Sequence, residues 1–186
     1  LATNPAVVYA IRVQGGLTFD ENIVADLVNG VTIDISGGWD NTFSTRAEDP
    51  TPTVIDGGGG RALEVSVNGA TFILRNLTIR NGGGVEQGGG ALVTGPGRVE
   101  VSDSVFDSNT VTSGLGEAQG GGLYLSVAEI VVERNLFIEC DRGIALGLSV
   151  PDSNSLRAGY SARTSCRCSG CGRCGCSRRS SRRRRL

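Results

Sequence analysis

Asp103, Asp107 and Arg134 are the residues whose types and spacing best suit chemistry. Superposing the repeats of the chain puts Asn76, Asp103 and Arg134 in one column at a bend, with Asp107 four positions beyond Asp103. A carboxylate can move a proton or hold a cation, and a guanidinium can neutralise an anionic substrate, so stacked acids beside an arginine are the ingredients of acid–base catalysis. The same spacing has a plainer reading, a solvated Asp103–Arg134 ion pair between neighbouring coils. The chain contains no histidine, and no close acid pair of the glycosidase kind stands out. No residue is therefore assigned to catalysis, and these three stand as candidates.

The other candidates are weaker. The glycine run from Gly57 to Gly60 lacks the following Gly-Lys-Ser/Thr of a phosphate loop, and no dinucleotide fingerprint opens a helix. Turns that need positive φ account for these glycines, and no cofactor is called for. Asn76, Asn81 and Asn109 fall at bends, where a side-chain amide can bond to backbone, so a turn-stabilising role is expected. Asn76-Leu77-Thr78 matches a glycosylation sequon but overlaps a packed strand. Trp39 is read as a packed cap over the first coil in preference to a sugar-stacking platform. Cys171 and Cys174 have metal-pair spacing, yet no histidine and no second separated pair accompany them, so no metal site is assigned.

The elements that must position these residues show in the repeats. Leu63-Glu64-Val65, Ala91-Leu92-Val93, Leu123-Tyr124-Leu125 and Ile144-Ala145-Leu146 superpose, with Val65, Val93, Leu125 and Leu146 in one column at separations of 28, 32 and 21 residues. A second strand recurs at Leu74–Ile79, Val101–Phe106 and Val132–Phe137, stacking Ile79, Phe106 and Phe137 at separations of 27 and 31. The length differences fall in glycine-rich loops, as in a solenoid whose insertions project outward. Glycine at this density disfavours helix. An antiparallel sandwich has no need of like residues recurring at one-coil intervals.

Before residue 60 the pattern is less regular. Val7–Val13, Val31–Ile35 and Thr53–Ile55 read as strands, while Ile23, Val24, Leu27 and Val28 admit either a short capping helix or a bent strand. Either is expected to cover the open N-terminal strand edges.

At this point the residues resemble a known family. Gly38-Trp39-Asp40-Asn41-Thr42-Phe43, then Thr53-Val54-Ile55-Asp56-Gly57, then Leu74-Arg75-Asn76-Leu77-Thr78-Ile79-Arg80-Asn81-Gly82 are similar to the opening of bacterial right-handed parallel β-helix repeat proteins of the pectate-lyase-like superfamily. Gly89-Gly90-Ala91-Leu92 and Phe106-Asp107-Ser108-Asn109 resemble the repeats of polymorphic outer-membrane proteins, a group of autotransporter adhesins. The next coil departs from that pattern, with Gly121-Gly122-Leu123-Tyr124 lacking the alanine and Phe137-Ile138-Glu139-Cys140 ending in cysteine. The resemblance implies an all-β, right-handed parallel β-helix of four or five coils, secreted or displayed at the outer membrane, with glycans or surface proteins as partners. It also implies an alternative, a polysaccharide lyase or hydrolase using acids, calcium and arginine on one outer face. Acids with arginines converging on one outer groove would favour the enzyme, and evenly scattered charge the binding module.

The chain divides into an N-terminal coil and cap region (1–60), β-helix repeats (61–150) and a Cys/Arg-rich tail (151–186). Up to Asp152 there are 8 arginines against 19 acids, a charge of −11, and beyond it 10 arginines and no acids. The acidic body argues against nucleic acid as its partner, and no apolar run is long enough for a membrane-spanning helix. For the tail, zinc binding, nucleic-acid binding and a frameshift in a GC-rich gene compete. The abrupt loss of strand pattern favours the frameshift, with disorder expected in the absence of a ligand. Starting at Leu1 without a methionine, the chain reads as a fragment or a processed piece of a larger protein, with the β-helix truncated at its C-terminal end.

Overall fold

The computed structural model describes residues 7–47, 49, 53–112, 118–147 and 165–167, the last of these as backbone only. Among them there is no helix, and so none to cross a membrane; this says nothing of a β-barrel. The named strands all pair in parallel, in one eight-stranded and one six-stranded sheet.

Each turn of the chain contributes to three ladders. The first holds β3 (Ile23–Leu27), β6 (Leu63–Val67), the start of β9 (Ala91–Ser102), the start of β11 (Leu123–Glu133) and β13 (Ile144–Leu146). The second holds β1 (Val7–Gln14), β4 (Val31–Trp39), β7 (Thr71–Arg75) and the later halves of β9 and β11. The third runs through β2 (Leu17–Asp20), β5 (Thr53–Asp56), β8 (Thr78–Arg80), β10 (Val105–Asp107), β12 (Leu136–Ile138) and β14 (Ser165–Arg167). This is the arrangement of a solenoid, and four successive turns between Ile23 and Ile138 supply all three ladders.

The predicted columns are in register: Val65 pairs with Val93, Val93 with Leu125, and Leu125 with Leu146. Ile79, Phe106 and Phe137 likewise pair in sequence. Alternate residues of β6 and β7 are buried, the period-2 signature of a strand with one face on the core. Val65, Val93 and Leu125 are essentially inaccessible, and burying each such side chain stabilises the fold by about 1.5–3 kcal/mol.

The ends differ from expectation. Residues 23–27 form a strand, as one of the two expected alternatives had it and not a capping helix, and this strand is itself the N-terminal edge of the first ladder and does not cover it. Val7, Tyr9 and Ile11, inward by parity, are consequently exposed. Within the tail, Ser165–Arg167 extends the third ladder beside β12. The remainder of the tail reading, including Cys171 and Cys174, lies outside the described residues.

Candidate functional site

The corner between the second and third ladders gathers two of the three predicted site residues, Asp103 and Arg134. Asn76, Asp103 and Arg134 stack there, all left-handed at φ 58°, 51° and 54°. That conformation costs an L-residue roughly 1–2 kcal/mol, least for Asn and Asp, so something must fix it on either side. The fixing groups are buried and polar. Asn76 donates from Nδ2 to the carbonyls of Gly37 at 3.0 Å and Ala47 at 2.8 Å. Asn135, next to Arg134, accepts from Ser104 N at 2.9 Å and donates to Val101 O at 2.8 Å.

Asn135 was missed from sequence. The signal was present, because Arg134-Asn135-Leu136 repeats Arg75-Asn76-Leu77. The third ladder pairs Leu136 with Val105 and Val105 with Thr78, which offsets the two motifs by one residue. A one-residue offset gives the two asparagines different tasks.

Asp103 and Arg134 do meet. Arg134 grips the carboxylate with two bonds, Nε–Oδ1 at 2.5 Å and Nη2–Oδ2 at 2.8 Å, and reaches Glu133 at 3.0 Å. The guanidinium's hydrogen bonds, with a Coulomb contribution from Arg46 further off, hold the Asp103 carboxyl below its usual range. A carboxylate so paired is a poor proton acceptor near neutrality, and it carries no proton to give there. Asp107 does not join them. It follows Phe106 on the third ladder, accepts the Ser108 hydroxyl at 3.0 Å, and lies four residues from Asp103 at about 3.3 Å of rise each.

Further ion pairs link neighbouring coils on the outer surface. Arg75 clasps Asp34 through both carboxylate oxygens, and Arg98 binds Glu100 and, across the ladder, Glu129. Arg80 holds Asp56 at 2.8 Å. Burial pushes the Asp56 carboxyl up, but bonds from Arg80, Gly58 and Asn81 bring it below its usual value. Acids and arginines thus converge on the second ladder's outer face, already neutralising each other. Among the described residues no group of three or more His, Cys, Asp or Glu side chains is arranged to hold a metal ion.

Comparison with family models, with curated proteins and with solved structures gave no match.

Beside the corner stands a hairpin, residues 39–47, closed by an antiparallel Trp39–Arg46 bridge. Asp40 organises it by accepting six hydrogen bonds, two each from Thr42, Ser44 and Thr45. The Thr45 hydroxyl and then the Ser44 N–H lead in driving the Asp40 carboxyl far below the usual carboxylate range. Such a depressed value stabilises the hairpin at neutral pH, and the stabilisation is lost as pH falls from the unfolded value near about 3.9 through the folded one. Acid titration should therefore shift Trp39 emission below about pH 4, and Asp40→Asn should remove that transition.

Trp39 is half-buried: its Nε1 donates to Ser36 Oγ at 2.9 Å, and the Arg12 guanidinium lies 4.3 Å from the ring centroid. The packed role expected of it holds. It also borders an open cleft of about 440 Å³ between the hairpin and the β1–β2 turn, shared with Gln14, Asn41 and Arg46.

Asn109 completes the picture at the next corner, fully buried between its coil and the one before. It accepts from Gly82 N and donates to Ile79 O, both at 2.9 Å. One coil later Cys140 replaces it, its Sγ bonded to Phe106 O at 3.3 Å and its thiol pKa raised by burial. Asn81 is exposed and reaches the Asp56 carboxylate. Asn76 and Asn109 are thus the turn-holding amides expected, while Asn81 works at the surface.

Proposed function

We propose that the chain is a right-handed parallel β-helix serving as a structural and binding module of a secreted or surface-displayed bacterial protein, adhesin-like, contacting glycans or proteins through its outer faces and loops. Right-handedness follows from the strong bias of parallel crossover connections. One observation carries the reading: the polar residues that align at the corners are spent on joining coils. Asn76, Asn109 and Asn135 bond backbone across coils, and Asp103 is held at both oxygens by Arg134. A rigid stack with saturated corners presents surface and loops in place of reactive groups. The fold alone does not choose a partner.

The second reading, a polysaccharide lyase or hydrolase on the same scaffold, draws on the acids and arginines that share one outer face. Its requirement is a free base, and the mutual ion pairing of these groups weighs against it.

Incubation with pectin and related polymers separates the two. No chain cleavage is expected from the native protein, while immobilised glycans or extracellular-surface proteins retain it. Cleavage that disappears in Asp103→Ala would overturn the module reading.

A further inference from the structure

We infer that Asn68 is a site of spontaneous deamidation, and that Asn109 shields Asn81 from the same reaction. The chain carries three Asn-Gly pairs, Asn29-Gly30, Asn68-Gly69 and Asn81-Gly82. Glycine is the follower that hinders this chemistry least, having no side chain to obstruct the approach. Its backbone nitrogen is the nucleophile. Once base has taken the amide proton, that nitrogen attacks Cγ of the preceding asparagine, and the Cγ–Nδ2 bond breaks to release ammonia. The product is a succinimide ring. Water then opens the ring, at the side-chain carbonyl to give aspartate or at the main-chain carbonyl to give isoaspartate. The net change exchanges a carboxamide and water for a carboxylate and ammonia, with no oxidation or reduction.

The fold separates pairs that the sequence makes alike. Ring closure needs the glycine N–H free of an acceptor and the asparagine side chain free to turn toward it. At Asn81 neither condition is met. Gly82 N donates to the buried Asn109 Oδ1 at 2.9 Å, and Asn81 Nδ2 is held on Asp56 Oδ2 at 2.9 Å. A Cβ on Gly82 would lie 2.0 Å from Gly89 O, so that backbone has no room to swing. Reaction at Asn81 therefore waits on local opening of its coil. Asn29-Gly30 is intermediate, because Gly30 N donates to Gly69 O at a long 3.4 Å. Asn68 and Gly69 are both exposed in the turn between β6 and β7, with Gly69 at φ 69°. Among the described residues neither the Gly69 N–H nor the Asn68 carboxamide makes a hydrogen bond. The modification falls where two coils are clasped, since Asn68 N donates to Leu27 O at 2.9 Å and Gly69 O accepts from Gly30 N. Isoaspartate inserts a methylene into the main chain between those two bonds, so its accumulation loosens the clasp.

The full chain is aged at mildly alkaline pH, folded and in urea. Trypsin then places Asn68 on the peptide 62–75, Asn81 on 81–98 and Asn29 on 13–46. Mass spectrometry reads the replacement of the amide NH2 by OH, and enzymatic methylation reads isoaspartate. In the folded chain Asn68 is expected to convert about tenfold faster than Asn81, or more, with Asn29 between them. In urea the three rates should converge, and Asn68→Gln should remove the fast phase. The slowing of Asn81 on folding should match the hydrogen-exchange protection of the Gly82 amide, because both reactions require that N–H to leave Asn109. Asn109→Ala, where its melt shows a folded chain, should speed Asn81 relative to Asn68 by about tenfold. Equal rates at Asn68 and Asn81 in the folded chain, or a difference that persists in urea, would defeat the assignment of Asn68. Conversion at Asn81 faster than exchange at Gly82 permits, or unmoved by a folded Asn109→Ala, would defeat the shielding.

Discussion

Phe106→Asp is expected to abolish cooperative unfolding of the solenoid, leaving a broad, sloping far-UV melt in place of a transition. Phe106 is fully buried, pairs with Ile79 and Phe137 in the third ladder, and stacks on the Phe137 ring at 4.8 Å between centroids and 7° between planes. Truncating a core phenylalanine typically costs about 3–5 kcal/mol. An unpaired carboxylate in that slot adds a desolvation penalty of about several kcal/mol more. The sum is comparable with the whole stability of an ordinary domain, about 5–15 kcal/mol. Coils also depend on their neighbours, so a fault in the middle removes support from both sides. Phe106→Leu, which keeps the site apolar, should retain a transition at a lower midpoint. A cooperative melt of Phe106→Asp with unchanged midpoint would show that this side chain is not in the core.

Asn109→Ala should lower the unfolding free energy by about 2–6 kcal/mol, from the loss of partners for two buried backbone groups at roughly 1–3 kcal/mol each. The groups are Gly82 N–H and Ile79 C=O, on the coil before Asn109. Water cannot replace the amide easily, because Asn109 is fully buried and Gly82 is packed so tightly that a Cβ there would lie 2.0 Å from Gly89 O. Urea unfolding gives the measurement, and faster hydrogen exchange at the Gly82 amide locates the damage. Asn81→Ala is the contrasting control. Its amide is at the surface on the Asp56 carboxylate, and a smaller loss of about 1 kcal/mol is expected, because alanine tolerates its left-handed φ of 54° less well than asparagine does. Equal losses from the two substitutions would remove the distinction between a buried stitch and a surface contact.

The two substitutions act on different parts of what was legible. The Phe106 column was readable because a parallel stack repeats its side-chain environment every coil, and similar environments select similar residues. The acid–arginine pair was readable for the same reason, since stacking puts Asp103 and Arg134 one coil apart at one corner. The N-terminal region was harder. Ile23, Val24, Leu27 and Val28 have helix-like spacing, but Ala25 pairs with Val65 and the segment joins the first ladder as a strand. Pairing with a neighbour outweighs spacing in so short a stretch.

The sequence by itself determined the strands of the repeats after residue 60, the columns Val65–Val93–Leu125 and Ile79–Phe106–Phe137, and the corner positions of Asn76, Asp103 and Arg134. Each is a periodic property, expressed once per coil and therefore visible as a repeat. Only the tertiary structure decided what was aperiodic: that Asp103 is held at both oxygens, and that the 39–47 hairpin folds around Asp40. Those outcomes depend on a single register offset or a single inserted loop, and a feature that occurs once leaves no period to read.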